Sequence, residues 1–203
     1  FFPPEAVAEL EADLREMGKD VVFNLGCRDG NKLMLQNYLL GAHLLGLENI
    51  LVLKGDDFTV TELGRVKDVN DYTPTGLIAA IKDLNHGVDY RGLKLRIPTN
   101  FCVGATLDFG LPLASETALA RCKVEAGADF FVTQPIYDLS QVARFYEVYP
   151  IPRPIFYGLQ ILDREGIIFG DVPPWMQEEL EKGRPGVDMA LEQIHTFIEA
   201  GMC

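Results

Sequence analysis

The sequence is poor in the residues that build disulfide frameworks and zinc sites. Its 203 residues include four cysteines and three histidines, and no two cysteines form a Cys-x-x-Cys pair. This scarcity argues against a disulfide-stapled fold and against a zinc site, and it favours a reducing, cytoplasmic location. The sequence also lacks paired histidines, an acidic metal-binding cluster and a Ser-His-Asp pattern, which disfavours metal-assisted and hydrolytic chemistry.

Basic residues and long apolar runs are scarce as well. Thirty acidic residues against 18 basic ones give a formal charge of -12. Such a surface repels phosphate backbones and anionic lipids, so nucleic acid and membranes are poor partners for it. No apolar run approaches the ~20 residues of a membrane span. No glycine-rich dinucleotide fingerprint or phosphate loop follows a predicted strand, so a dinucleotide, if bound, is not held in the Rossmann manner.

The composition is that of a globular protein. Hydrophobic residues make up 48% of the chain and charged residues 24%, which are ordinary globular values. The length favours one domain, which we expect to span residues 1–203. Because the chain opens with Phe1-Phe2-Pro3-Pro4 instead of Met, we expect that residues upstream were removed or are not shown.

Short apolar segments alternate with longer segments of helical periodicity. We predict strands at residues 21–25, 50–53, 95–103, 130–133 and 155–158. We predict helices at residues 4–17, 31–47, 74–86, 115–126, 139–149, 173–181 and 187–200, with Ser115 and Asp171 as candidate caps.

This alternation predicts an α/β protein. Strands that are apolar on both faces and joined through helices run parallel, which leaves an open doubly wound sheet or a (β/α) barrel. The number of strands by itself favours the open sheet, because a closed eight-stranded barrel usually takes ~250 residues.

Candidate binding residues follow the predicted strands, since both architectures place ligands at the carboxyl ends of their strands. These polar segments predict a bound organic cofactor or a small polar ligand. Lys54-Gly55-Asp56 is either a solvated turn or a carboxylate beside a heteroaromatic ring, and Gln134 either binds a planar ring or caps a loop. The full set comprises Asn24, residues 27–29, 54–57, 104–106, 133, 134 and 160 and, further on, 163–164.

Several of these segments, taken in order, resemble the motifs of methylenetetrahydrofolate reductases. They are CRDGN at 27–31, LLGA at 39–42, NILVLKGD at 49–56, VGA at 103–105, KVEAGADFFVTQ at 123–134 and VPPWM at 172–176. The opening FFPP is similar to the end of the N-terminal strand of that family.

The resemblance implies a (β/α)8 TIM barrel that binds FAD, with NAD(P)H as the reductant. It further implies reduction of 5,10-methylenetetrahydrofolate to 5-methyltetrahydrofolate, a step of one-carbon metabolism and methionine biosynthesis. A homo-oligomer or a subunit of a one-carbon complex is the expected assembly. The barrel would be incomplete in this chain, because five strands are predicted where the family has eight.

The resemblance also implies roles for individual residues. Asp56 would be the catalytic carboxylate near the flavin pyrimidine edge, and Gln134 would hold the folate pterin. The other predicted cofactor-binding residues are Asn24, Leu53, Lys54, Gly55, Gly104, Ala105, Thr106 and, for the FAD phosphates, Lys123.

The chain departs from the family in several places. Asn24 stands where a histidine is common, Thr106 where a tyrosine is common and Cys122 where an arginine often helps to bind FAD. The family's proton-donating glutamate would precede Phe1, and one helix fills the space before Val21 where the family has more elements. We therefore expect that stretches of the natural chain are absent from this sequence.

These departures leave two alternatives to the reductase. The chain could be a non-catalytic or divergent paralogue that binds a folate or pterin or serves as a subunit of a one-carbon complex. It could also keep catalysis with another pterin or a deazaflavin.

Overall fold

The computed structural model describes residues 4–166, 168 and 170–202. They form a five-stranded parallel sheet with the strand order β1-β2-β3-β4-β5, and helices connect the strands. The strands are β1 (Val22–Gly26), β2 (Asn49–Leu53), β3 (Cys102–Leu107), β4 (Phe130–Pro135) and β5 (Ile155–Gly158). The α/β class predicted from the alternation of segments is confirmed.

Eight helices accompany these strands in the described residues. They are α1 (Pro4–Glu16), α2 (Lys32–Leu44), α3 (Val60–Leu63), α4 (Pro74–Asn85), α5 (Leu113–Glu125), α6 (Leu139–Val148), α7 (Pro174–Glu181) and α8 (Gly186–Glu199). No helix in this part of the chain is long and apolar enough to cross a bilayer.

The chain divides into two compact units. The first contains Phe1–Thr106 and Cys122–Phe131, and the second contains Leu107–Arg121 and Val132–Cys203. Both α5 and β4 contribute residues to each unit. The prediction of one domain over residues 1–203 stays a prediction.

The core of the first unit lies between the sheet and its helices. Ile50 and Val103 are in register and fully buried, whereas Leu51 and Cys102, on the other sheet face, are half-buried. Helix α4 buries Leu77, Ile78 and Ile81 completely. Each such side chain contributes about 1.5–3 kcal/mol through removal from water, so this layer fixes the positions of the strand ends.

Two apolar clusters hold the second unit together. One consists of Leu162, Val172, Met176 and Met189. The other is built from Ile136, Val142 and Phe197, with partly buried aromatic residues such as Tyr146 and Tyr157 around it. The hydroxyls of Tyr146 and Tyr157 are 3.0 Å apart, and burial together with this hydrogen bond raises the pKa of Tyr157.

The third strand begins later than the sequence indicates. The sequence predicts a strand at 95–103, but β3 runs from Cys102 to Leu107. The preceding backbone bonds outside the sheet, since Leu95 N donates to Gly87 O and Thr99 N donates to Leu84 O. Pro98 lacks the N–H that a central strand needs, so this apolar segment packs as a connection.

Two predicted helix caps are also wrong. Ser115 lies inside α5, where its hydroxyl donates to Pro112 O at 2.8 Å instead of accepting from the helix. At α7 the capping position belongs to Pro173, without a side-chain hydrogen bond, so Asp171 does not cap that helix.

Candidate functional site

The register of the first three strands brings predicted cofactor residues together on one face of the sheet. Asn24 of β1 is in register with Leu51 of β2, and Leu51 with Gly104 of β3. Because successive strand residues alternate between faces, Leu53 and Thr106 lie on the same face, nearer the carboxyl ends. Asn24 is exposed there, and Leu53 and Thr106 are half-buried.

Ala105 occupies the opposite face. It is in register with Val52, and both residues are 1% exposed within the layer between sheet and helices. The side chain of Ala105 therefore packs in the core, and only its backbone is available to a ligand.

The residues after β2 form an exposed, charged turn. Lys54 Nζ lies 2.8 Å from Asp57 Oδ1, and these side chains are 64% and 87% exposed. Their hydrogen bond, followed by their charge attraction, lowers the pKa of Asp57 and raises that of Lys54. Because the pair is so exposed, it anchors the turn only weakly.

Gly55 and Asp56 occupy the middle of this turn. Gly55 has a φ of +88°, in the left-handed region that favours glycine. Asp56 is exposed, and its carboxylate accepts no hydrogen bond from the residues that the structure describes. The candidate catalytic carboxylate thus faces solvent at the carboxyl end of β2.

Arg28, one of the candidate residues that follow a predicted strand, has a role that the sequence did not indicate. Its Nη1 donates to Asp56 O at 2.6 Å, while Nε and Nη2 donate to the two Asp29 carboxylate oxygens at 2.7 and 3.2 Å. The guanidinium lies 3.8 Å from the ring centroid of Phe58. An arginine beside an aspartate directly after a buried strand was the available signal, but its target lies 28 residues further along the chain.

Gly104 is covered by an aromatic ring from the neighbouring strand. A Cβ added at Gly104 would lie 2.4 Å from two ring atoms of Phe130, so glycine is required there for packing. Phe130 itself is 7% exposed. A flat ligand could reach the Gly104 backbone only after this ring had moved.

Lys123 meets the carboxyl end of β3. Its Nζ donates to Thr106 O at 2.7 Å, and the residue is only 7% exposed. The structure thereby joins two of the predicted cofactor residues, Lys123 and Thr106. The proposed contact of Lys123 with FAD phosphates stays a prediction.

Gln134 lies in the second unit, at the edge of a cavity of about 380 Å³. Near it, the Tyr137 hydroxyl donates to Gln160 Oε1 at 2.8 Å. Hydrogen bonds from Ser140 lower the pKa of Asp138, so that carboxylate is ionised at neutral pH. The cavity is mainly polar and acidic, with Asp108, Phe109, Gly110, Leu111, Gln134, Pro135, Ile136, Tyr137, Asp138, Gln141, Gly170, Asp171 and Pro173 in its lining.

Asp56 thus belongs to the first unit and Gln134 to the second. That they act on one ligand stays a prediction. Among the described residues no group of three or more His, Cys, Asp or Glu side chains is arranged to hold a metal ion.

A sequence model of methylenetetrahydrofolate reductase matches residues 6–151, which include the three strand ends described above and Gln134. The chain belongs to the methylenetetrahydrofolate reductase family. The five-stranded parallel sheet is consistent with a partial TIM barrel of this family, as the resemblance implied. No curated protein sequence gives a significant match.

Two solved structures show more distant likeness. A candidate phosphonomutase from Burkholderia cenocepacia J2315 is 15% identical with a TM-score of 0.50, and the alignment covers 98% of this chain and 79% of that one. At that identity the likeness concerns the fold alone. A Clostridium thermocellum protein that binds two copies of 5-methyl-5,6,7,8-tetrahydrofolic acid is 11% identical over 95% of this chain and 88% of its own, with a TM-score of 0.38.

Proposed function

We propose that this chain binds FAD and reduces 5,10-methylenetetrahydrofolate to 5-methyltetrahydrofolate with NAD(P)H as the reductant. The observation that carries the proposal is the family match over residues 6–151, which includes an exposed Asp56 at the carboxyl end of β2. Parallel α/β folds place their ligands at such strand ends. FAD, when bound, supplies the hydride relay between nicotinamide and folate.

The predicted residues other than Gly104 suit a flat cofactor with a phosphate tail. The exposed amide of Asn24 can donate to and accept from a heterocycle, and Leu53 offers apolar contact on the same sheet face. Lys54 and Gly55 would border the ring. Lys123 would serve the phosphates, close to the Thr106 carbonyl that it binds.

Two polar side chains would act on the folate. Asp56 would keep a negative charge beside the ring on which the folate stacks, and so influence protonation of the substrate. Gln134 has an amide that can donate and accept at once, which suits the pterin edge. Its position beside the 380 Å³ cavity of the second unit supports this role.

One observation favours a second candidate, a non-catalytic paralogue that binds a folate or pterin. The Phe130 ring covers Gly104, where the flavin would approach the backbone. An absorbance spectrum of the purified protein with added FAD, after removal of unbound cofactor, distinguishes the two. The reductase should retain the near-ultraviolet and blue bands of oxidised flavin, whereas their absence together with folate binding would favour the paralogue.

The Asp56→Asn variant tests the catalytic assignment. We expect it to slow folate reduction by about tenfold, or ~1.4 kcal/mol, and to slow reduction of the flavin by NAD(P)H much less. The lost charge lies beside the folate in this proposal, which makes the effect specific to one half-reaction. Stopped-flow absorbance at the flavin band measures the two half-reactions separately.

Asp68→Asn is the matched control for this experiment. Asp68 lies in the same β2–α4 connection and accepts a hydrogen bond from Asn70 Nδ2 at 3.0 Å, so the variant removes the same charge from the same loop. Both half-reactions should stay within about twofold of wild type. Equal slowing of the two half-reactions by Asp56→Asn would contradict the role of Asp56.

Location and assembly complete the proposal. We place the protein in the cytoplasm, since Cys27, Cys102 and Cys122 are all free thiols. We expect it to work as a homo-oligomer or as a subunit of a one-carbon complex.

A further inference from the structure

We propose that Arg28 is a positioning residue that fixes the direction of Asp56 by clamping the β2–α4 connection, residues 54–73, onto the β1–α2 turn. The clamp follows from contacts within the first unit. Its consequence for catalysis rests on the proposed function, because that is where Asp56 receives its role.

The side chain of Arg28 makes three kinds of contact at once. One guanidinium nitrogen donates to the Asp56 carbonyl at 2.6 Å, and two others donate to the carboxylate of Asp29. Its flat face lies on Phe58, 3.8 Å from the ring centroid. A planar fork of donors is needed for this combination, which the single ammonium of lysine cannot reproduce.

The backbone of Arg28 bonds the same connection at two points. At the beginning, Arg28 N donates to Lys54 O at 3.2 Å. Further along, Val69 N donates to Arg28 O at 2.8 Å. A third link joins the connection to the start of α2, where Lys32 N donates to the Asp71 carboxylate at 3.2 Å.

These contacts decide the direction of the Asp56 side chain. Its carboxylate accepts no hydrogen bond within the described part of the chain, so its backbone must orient it. That backbone follows Gly55, which adopts its left-handed φ of +88° without steric cost. Because glycine has this freedom, Gly55 by itself restrains the turn little. The Lys54–Asp57 pair is too exposed to hold the turn firmly, which leaves the bond from Arg28 to the Asp56 carbonyl as the anchor.

The side chain of Arg28 also packs closely against Gly55. A Cβ at Gly55 would lie 3.1 Å from Arg28 Cβ, closer than ordinary packing distance. The arginine stem therefore lies directly against the turn that it bonds. Any displacement of Arg28 would release both the packing of Gly55 and the carbonyl of Asp56.

Three variants test this proposal: Arg28→Ala, Arg28→Lys and, as matched control, Arg91→Ala. Arg91 also pairs with a neighbouring aspartate, at 3.1 Å from Asp89 Oδ2, and lies over the adjacent Tyr90 ring. It belongs to the α4–β3 connection, at the other end of the strands. The control removes similar contacts without touching the Asp56 turn.

The first readout is hydrogen exchange by mass spectrometry on the protein without added ligand. In Arg28→Ala, peptides that contain the Arg28 and Val69 amides should exchange at least about tenfold faster, while peptides from β2 and β3 exchange as in wild type. Arg28→Lys should give an effect of the same direction, and Arg91→Ala should leave these peptides unchanged. Unaltered exchange in Arg28→Lys and Arg28→Ala would overturn the clamp.

The second readout is the pair of half-reactions. Both Arg28 variants should slow folate reduction by about tenfold and slow flavin reduction by NAD(P)H much less, as we expect for Asp56→Asn. Recovery to within twofold of wild type in Arg28→Lys would overturn the positioning role, since charge alone would then suffice. Faster exchange in a protein that binds no flavin would leave the clamp standing and contradict the proposed function instead.

Discussion

Gly104→Ala is the substitution for which the structure gives the sharpest expectation. The new Cβ would lie 2.4 Å from both Cε2 and Cζ of Phe130 and 3.0 Å from Cδ2. Carbon atoms in good contact are about 3.5–4.0 Å apart, so the ring would have to move by more than about 1 Å. Gly104 does not have a positive φ, so the backbone itself accepts alanine and the whole penalty comes from packing.

The magnitude follows from two opposing effects. Overpacking of a core costs about 1–3 kcal/mol, and contacts this short belong at the upper end. Replacing glycine by alanine in a strand returns about 0.5–1 kcal/mol of chain entropy. The net loss of unfolding free energy should be about 2 kcal/mol, which corresponds to a Tm lower by about 4–8 °C in a protein of this size.

A double-mutant cycle with Phe130→Leu tests the cause. Leucine removes the ring atoms that occupy the new Cβ position, so Gly104→Ala should then cost less than about 0.5 kcal/mol. Urea unfolding followed by far-ultraviolet circular dichroism measures the four free energies. The same penalty in both backgrounds would refute the packing argument. If Gly104 also contacts flavin, Gly104→Ala should weaken flavin binding equally in both backgrounds.

Two further predictions concern titratable side chains of the first unit. Cys27 is 1% exposed, and burial raises the pKa of its thiol to about 11, so iodoacetamide at pH 8 should modify the exposed Cys122 much faster than Cys27. Equal rates in a peptide-resolved mass spectrum would contradict this. The carboxylate of Asp89 accepts from Leu93 N at 2.8 Å and Arg91 N at 2.9 Å. These bonds lower its pKa, so its stabilising effect is present above the usual carboxyl pKa and is lost as the pH falls through the lowered value. Melting temperatures between pH 3 and 6 should therefore fall less steeply in Asp89→Asn, and an unchanged slope would count against this role.

The alternation of buried strands with amphipathic helices was sufficient to predict the parallel α/β class. It worked because both periodicities are local properties of the sequence. The misplaced third strand shows where that reasoning ends. Residues 95–101 are apolar and β-branched enough to suggest a strand, but their amides bond to Leu84 and Gly87, partners that only the folded connection after α4 brings near.

The errors at helix starts have a local origin instead. The missed helix α3 carries a capping box in which Thr59 accepts from Glu62 N and Glu62 accepts from Thr59 N. This Thr-x-x-Glu pattern is visible in the sequence, but the helix has only four residues and no periodicity that would draw attention to it. Ser115, in contrast, looked like a cap and lies within α5, because α5 begins two residues earlier, at Leu113.

The placement of the three strand ends on one face was predictable, whereas the roles of their side chains stay predictions. Strand order and register are enough to bring Asn24, Leu53 and Thr106 to one face, because parallel strands in register align their carboxyl ends. What each polar side chain does there depends on distant partners. Lys123 meets a carbonyl 17 residues away and Arg28 one that is 28 residues away.

A charged residue at a strand end can have two physically distinct uses, and its long-range contacts decide which one it has. A group whose bonding capacity is met by the protein, as the guanidinium of Arg28 is by Asp29, Asp56 and Phe58, stabilises the shape of the site. A group held only through its backbone, as Asp56 is, keeps its charge available to a ligand. The sequence motif contains both kinds side by side, and only the long-range contacts separate them. Asp56 and Arg28 should therefore respond differently to substitution: Asp56→Asn should change the chemistry with the loop intact, whereas Arg28→Ala should change the chemistry because the loop is released.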